Sequence, residues 1–200
     1  MIAKLCEEAG TFRFAAVCVP PCYVRQAKDL LQDSGVKVVT VIGFPLGYQQ
    51  TDVKFFEAHK ALMQGADELD VVMNLAAFKS GHYEEVESEL GQLATLCDIK
   101  QALLKVIIET GLLSPQEIIA ACGICADAGA AFVKTSTGFS SRGASVADVQ
   151  LMRRHLPPAM QIKASGGIKT LEEAKALIEA GADRIGCSAS IQLIQNGYKV

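Results

Sequence analysis

The chain has 200 residues, half of them apolar and a fifth charged. That suffices for one domain spanning 1–200 with a full core, and it excludes an intrinsically disordered chain. The formal net charge is −3 with no basic run or arm, which excludes a nucleic-acid surface built from clustered Lys and Arg.

The elements follow in chain order as short β-branched runs, each answered by an amphipathic helical pattern. The N-terminus MIAKLCEEAG carries two glutamates and none of the apolar stretch of a signal peptide. FAAVCV (14–19) reads as the first strand, with a helix starting near Pro21. VKVVTVIGF (36–44) is followed by a helix from Thr51, and ELDVVMN (68–74) by one from His82. LLKVIIE (103–109) leads to Ser114-Pro115-Gln116-Glu117, where a capping serine, a proline at the first helical position and an acid three residues on mark a helix start. FVKTST (132–137) precedes a helix near Ala144. QIKASGG (161–167) precedes a second capping box, Thr170 to Glu173, and RIGCS (184–188) is the seventh strand. Several strands are nearly continuous apolar runs, as expected of parallel strands covered on both faces.

Three helices end in related wording: MQGADELD (63–70), ADAGAAFV (126–133) and IEAGADRI (178–185). In each, a glycine closes the helix and a short turn feeds the next strand, so the chain is an internal repeat of βα units. Such repeats build an open doubly wound sheet or a closed barrel. No G-x-G-x-x-G follows the first strand, and ionisable residues are spread over several strands. The expectation is therefore a TIM-type (β/α)8 barrel, with seven strands legible where a complete barrel has eight.

The seven cysteines are odd in number, scattered and mostly in apolar surroundings, which reads as free thiols of a cytosolic protein. Cys122 and Cys125 form a single C-x-x-C inside a helical pattern, and without a second pair this reads as structure rather than as a metal or redox site. No run of about 18 apolar residues occurs, so no transmembrane helix is expected.

Side chains alternate along a strand. Lys134 thus shares a face with Ser136, Lys163 with Gln161 and Ser165, Asp70 with Val72 and Asn74, and Lys105 with Ile107 and Glu109. If these faces point into the barrel, three lysines, Asp70 and Glu109 converge near its axis, where charges must pair or titrate. A lysine attacks a carbonyl only when neutral, and desolvation with a neighbouring ammonium lowers its pKa. Lys134 and Lys163, with an aspartate to shuttle protons, are the parts for Schiff-base chemistry. The plainer reading of any one of these lysines is an ion pair that holds the interior together. A second constellation is glycine-containing turns after three late strands: STG (136–138), SGGIK (165–169) and GCS (186–188). Such turns let backbone N–H groups approach phosphate oxygens.

VCVPP (17–21), VIGFPLG (41–47), ELDVVMN (68–74), KVIIETGLL (105–113), FVKTSTGF (132–139) and KASGGIKT (163–170) together resemble the signature set of the deoxyribose-phosphate aldolase family, in the family's order over essentially the whole chain. The resemblance implies a class I aldolase with no metal or other cofactor, cleaving the sugar phosphate 2-deoxy-D-ribose 5-phosphate reversibly to D-glyceraldehyde 3-phosphate and acetaldehyde. It assigns the Schiff-base lysine to Lys134, the second lysine to Lys163 and the proton-relay aspartate to Asp70. It carries phosphate binding over to Gly138, Gly166, Gly167, Gly186 and Ser188, with Cys18 and Lys105 in supporting positions behind them.

Two departures from the family's pattern stand out. Relatives begin with a strand resembling D-H-T-L-L, whereas this sequence starts within the following helix. The expectation is unpaired edges at strands 14–19 and 184–188, open to another copy of the chain. Ala189 also stands where many relatives carry a second serine. Two other functions fit the barrel: a phosphate-binding isomerase or synthase without a covalent intermediate, and an inactive barrel that binds sugar phosphates or self-associates. The pair Lys134 and Lys163 favours the aldolase, because proton transfer alone does not require it.

Overall fold

The structure is a computed structural model that describes residues 1–197, with side chains described through Gln195. Helix α1 (Ile2–Thr11) leads into β1 (Ala16–Val19), and a 3-10 turn at Pro21–Tyr23 opens α2 (Val24–Leu31). The alternation continues through β2 (Lys37–Ile42), α3 (Thr51–Met63), β3 (Glu68–Val72), α4 (Leu75–Lys79), α5 (Tyr83–Ile99), β4 (Leu103–Ile107) and α6 (Pro115–Asp127). It ends with β5 (Phe132–Lys134), α7 (Val146–His155), β6 (Gln161–Ser165), α8 (Leu171–Glu179), β7 (Arg184–Gly186) and α9 (Ser190–Gly197).

The seven expected strands are all present. The first ends at Val19 as expected, and each of the other six stops two or three residues short of its expected C-terminal end, because those residues turn into the loops that carry the site. The helix expected near Ala144 starts at Val146, where the Ser145 hydroxyl accepts from the Asp148 backbone N–H. Both expected capping boxes are formed, at Ser114 and at Thr170. Helix α4 went unanticipated. It is one short turn, started by the Asn74 side chain accepting from the Ala77 N–H.

All strand pairs are parallel and in chain order, β1 through β7, so every connection is a crossover filled by helix. The sheet is strongly curled. In a flat sheet β3 and β6 would lie about 14 Å apart, at about 4.8 Å per strand. Yet Lys163 on β6 reaches Asp70 on β3 at 2.6 Å, and Arg184 on β7 reaches Glu68 on β3, also at 2.6 Å. This curl is that of the TIM-type barrel. Among the described residues β1 pairs only with β2 and β7 only with β6.

Curling sorts the strand residues into two populations. Val38, Ile42, Leu69, Val71, Leu104, Val106, Val133 and Ile162 face outward and join the helices in one apolar core. Each such side chain, fully buried, contributes roughly 1.5–3 kcal/mol. The inward set alternates with them and carries the charge. The repeated helix-to-strand turns hold the frame. Gly65, Gly129 and Gly181 all take positive φ, which glycine adopts without steric cost. After two of them an aspartate continues the ladder: Asp67 accepts from the Val38 N–H and from Lys28, and Asp183 accepts from the Ile162 N–H. The middle copy has Ala131 at this place. Cys122 and Cys125 lie buried on α6, and burial pushes the Cys122 thiol up to about 12.

Candidate active site

Strand register brings the inward ionisable residues into adjacent places. Asp70 pairs with Lys105 across β3 and β4, Ile107 with Lys134 across β4 and β5, and Lys134 with Lys163 across β5 and β6. The result is one carboxylate shared by three lysines. Asp70 Oδ2 accepts from Lys134 Nζ at 2.8 Å and from Lys163 Nζ at 2.6 Å, and its Oδ1 accepts from Lys105 Nζ at 2.9 Å. Lys105 also meets Glu68 at 2.5 Å, and Glu68 in turn meets Arg184. Four cationic side chains thus surround two carboxylates, and Asp70 and Lys105 are completely buried.

That excess of basic groups governs protonation. Burial alone would raise the Asp70 pKa, but Lys163, Lys134 and Lys105 together outweigh it and hold the carboxyl well below its ordinary range. Glu68 is lowered in the same manner, with Lys105 and Arg184 outweighing its burial. Lys134 is lowered: burial is the largest cause, the Asp70 charge opposes it, and Lys163 adds to it. A buried amine whose carboxylate is already shared with two other lysines is the group that most readily gives up its proton.

Cys18 opens onto solvent on the inner face of β1. Partial enclosure and the Asp70 charge raise its thiol pKa against the opposing influence of the lysines. Glu109 departs from the expectation that it joins the lysines at the axis. Its backbone is left-handed, with φ at 52°, so strand alternation no longer sets its direction. The carboxylate turns to the loop after β5, where it accepts from Thr137 N–H and Oγ1 and from Ser140 Oγ.

The glycine turns fall into two groups. Gly138, Gly166 and Gly167 all take positive φ. A Cβ on Gly166 would lie 3.5 Å from the Gly138 Cα and 3.3 Å from the Ser136 Cβ, so these two turns pack backbone on backbone. Beside them the Ser136 hydroxyl is buried and has no hydrogen-bond partner among the described residues. Gly186 has another role. A Cβ there would sit 3.1 Å from Lys163 Cε, so the missing side chain makes room for that lysine. Ser188 is exposed in the turn after β7, on the side where all seven strands end.

Glu68 and Arg184 were not among the anticipated residues. The signal was available, because Glu68 lies two residues before Asp70 on the same face and Arg184 is in register with Lys163.

The whole of residues 1–196 matches the family described as "DeoC/LacD family aldolase". The chain is 51% identical over 196 residues to a deoxyribose-phosphate aldolase of Thermococcus gammatolerans, covering 97% of this chain and 87% of that protein. Its structure resembles that of "QR15, an Aldolase", with a TM-score of 0.94 and 44% identity over 99% of this chain and 88% of the other. It also resembles the deoxyribose phosphate aldolase of Aeropyrum pernix, described as a unique tetrameric structure, with a TM-score of 0.92 and 34% identity over 99% and 83% of the two chains.

Proposed function

The chain belongs to the DeoC/LacD aldolase family, and we propose that it cleaves 2-deoxy-D-ribose 5-phosphate reversibly to D-glyceraldehyde 3-phosphate and acetaldehyde through a Schiff base on Lys134. The observation that carries this reading is the single carboxylate of Asp70 held among three lysines, with Lys134 lowered toward the neutral amine.

The neutral Lys134 amine adds to the C1 aldehyde, and loss of water gives an iminium. As the C3 hydroxyl loses its proton, the C2–C3 bond breaks and its electron pair moves into the iminium, leaving an enamine and releasing glyceraldehyde 3-phosphate. Protonation of the enamine at C2 and hydrolysis then release acetaldehyde and restore the amine. Lys134 and Lys163 both bond to the same oxygen of Asp70, so a proton can pass from one amine toward the other across that carboxylate. Lys163 supplies and receives protons, and Asp70 relays them through the oxygen both amines share, returning to the anion that holds both in place. Lys105 neutralises the other Asp70 oxygen from behind, and Cys18 completes the wall on β1. Backbone N–H groups of Gly138, Gly166 and Gly167 receive the phosphate, helped by Ser188, with Gly186 keeping Lys163 in position.

The cysteines stand as free thiols, the state that a reducing cytosol maintains, and we place the reaction there. Self-association of the chain is a further reading, supported by the tetrameric relative and testable by sedimentation.

Borohydride reduction with deoxyribose 5-phosphate, followed by peptide mass mapping, is the decisive experiment. A stable adduct on Lys134 is expected. No adduct on folded protein, or an adduct on Lys163 alone, would overturn the assignment.

A further inference from the structure

Glu109 is a buried carboxylate that the steps above do not use. It sits at the C-terminal end of β4 in a left-handed backbone that costs an ordinary residue about 1 kcal/mol. Among the described residues all its side-chain partners lie in one segment, the loop from β5 to α7. Thr137 offers both its N–H and its hydroxyl, and Ser140 offers its hydroxyl at 3.4 Å. The Thr137 oxygen then accepts from the Phe139 N–H at 3.1 Å.

The same loop is tied down at further points. Arg142 donates to the Thr110 carbonyl at 2.8 Å and pairs with Asp148. A Cβ on Gly143 would collide with the Gly166 carbonyl oxygen, and one on Gly166 would press on the Gly143 Cα at 3.1 Å, so the two backbones lie in direct contact. The loop has no regular secondary structure, so such ties hold Gly138 against Gly166, and the Glu109 latch adds to the Ser165 hydroxyl donating to the Ser136 carbonyl at 2.7 Å and the Ala144 N–H donating to the Ser165 and Gly166 carbonyls at 3.1 Å. An anion site made of backbone N–H groups binds tightly only if those groups are held in place before the ligand arrives.

Building on the aldolase reading above, we infer that Glu109 is a positioning residue for phosphate recognition: it latches the loop after β5 so that Gly138 and Gly166–Gly167 form one preorganised anion site. The acid touches neither the sugar nor the lysines. It acts through Thr137, and its effect is confined to the phosphorylated end of the substrate.

The test compares the unmodified protein with E109Q, T137V and the double variant. Measured are kcat and KM for deoxyribose 5-phosphate, kcat/KM for unphosphorylated deoxyribose, and competitive inhibition by inorganic phosphate. In E109Q, KM for the phosphorylated sugar should rise about tenfold and phosphate inhibition weaken about tenfold, the loss of one charge-assisted hydrogen bond. The kcat for that substrate and the kcat/KM for deoxyribose should stay within about threefold. T137V should move the same way by less, and it keeps the question answerable if E109Q does not fold. The double variant should be no worse than E109Q, because both remove one latch. An unchanged KM in folded E109Q and T137V would overturn the inference, and so would an equal loss on both sugars. The aldolase reading is checked separately, by capture of acetaldehyde on Lys134 in the unmodified protein. Its failure would remove the premise, whereas failure of the latch alone leaves that capture intact.

Discussion

Two clusters of buried charge flank β3, and they are built on opposite plans. Inside the curl, Asp70 serves three lysines and Glu68 serves one of these and Arg184. Outside, Lys54 of α3 meets Glu89 of α5 at 2.6 Å, one charge to one charge, and donates a second bond to the Val72 carbonyl at 3.0 Å. Thr51 adds a bond to Glu89 at 3.3 Å. Apart from part-exposed Arg184, the charged groups of both clusters are buried. Burial drives the outer pair toward mutual neutrality, lowering Lys54 and raising Glu89. The inner cluster behaves asymmetrically: Asp70 is held anionic while Lys134 is lowered. A balanced buried pair is a brace between helices and sheet. A buried excess of amines is a chemical device, because one of them must be ready to lose its proton.

The largest expected effect comes from breaking the inner cluster at its nucleophile. Lys134→Met should reduce turnover by at least about 10⁴-fold, roughly 5.5 kcal/mol of barrier, while the midpoint of urea unfolding stays the same or rises, since a cation leaves a site that has too many. A loss of stability matching the loss of activity would make Lys134 a brace like Lys54.

The outer pair should answer in the opposite sense. Lys54→Met leaves Glu89 buried without its partner and should cost about 3–5 kcal/mol of stability. The double variant K54M/E89L, which removes both charges and keeps apolar volume, should return to within about 1 kcal/mol of the parent. Its kcat should stay within about threefold. If the double variant were as unstable as the single, the pair would be more than a replaceable brace.

Gly186→Ala sharpens the contrast from within the site. The added Cβ would press on Lys163 Cε at 3.1 Å, tighter than ordinary packing allows, so the lysine must shift. A displacement of this kind should lower kcat about ten- to hundredfold with little change in unfolding midpoint. An unaffected kcat would show that the place of Lys163 is not critical.

The inner cluster was largely legible in the sequence and the outer one was not, for a physical reason. Strand side chains alternate, so Lys134, Lys163, Lys105 and Asp70 could be placed on one face from spacing alone. The resemblance of their motifs to an aldolase family then gave them roles. Lys54 and Glu89 lie on helices, where a charged residue ordinarily faces solvent, and only the packing of α3 and α5 over β3 shows that they meet. Glu109 shows the limit of alternation. One left-handed residue after β4 turned its carboxylate away from the axis, and nothing in KVIIETG announces that conformation. Glycine spacing likewise grouped Gly138, Gly166 and Gly186 as equals, whereas in the structure Gly138 and Gly166 pack on each other and Gly186 lies against Lys163.

The smallest effect is a pH dependence that distinguishes the two clusters by sign. The folded-state pKa of Asp70 lies below the unfolded value of about 3.9, so the stability it contributes is present above that pH and is lost as pH falls through the lower folded value. Glu89 is raised above the unfolded value of about 4.3, so between that value and its folded one the native state binds more protons. Its contribution is full below that window and declines as pH rises through it. Lys134 and Lys54 are both lowered from about 10.4, so each favours the folded state progressively as pH climbs from its folded value to the unfolded one. Removing the outer pair therefore subtracts the Glu89 decline just above pH 4.3 and leaves the Asp70 loss at more acid pH untouched. Urea midpoints of the parent and of K54M/E89L, followed from pH 3 to 7, should diverge above about 4.3 by no more than about 1.4 kcal/mol per pH unit and run parallel below it. Parallel curves over the whole range would mean that Glu89 titrates as an ordinary surface acid, and the outer cluster would lose its standing as a balanced buried pair.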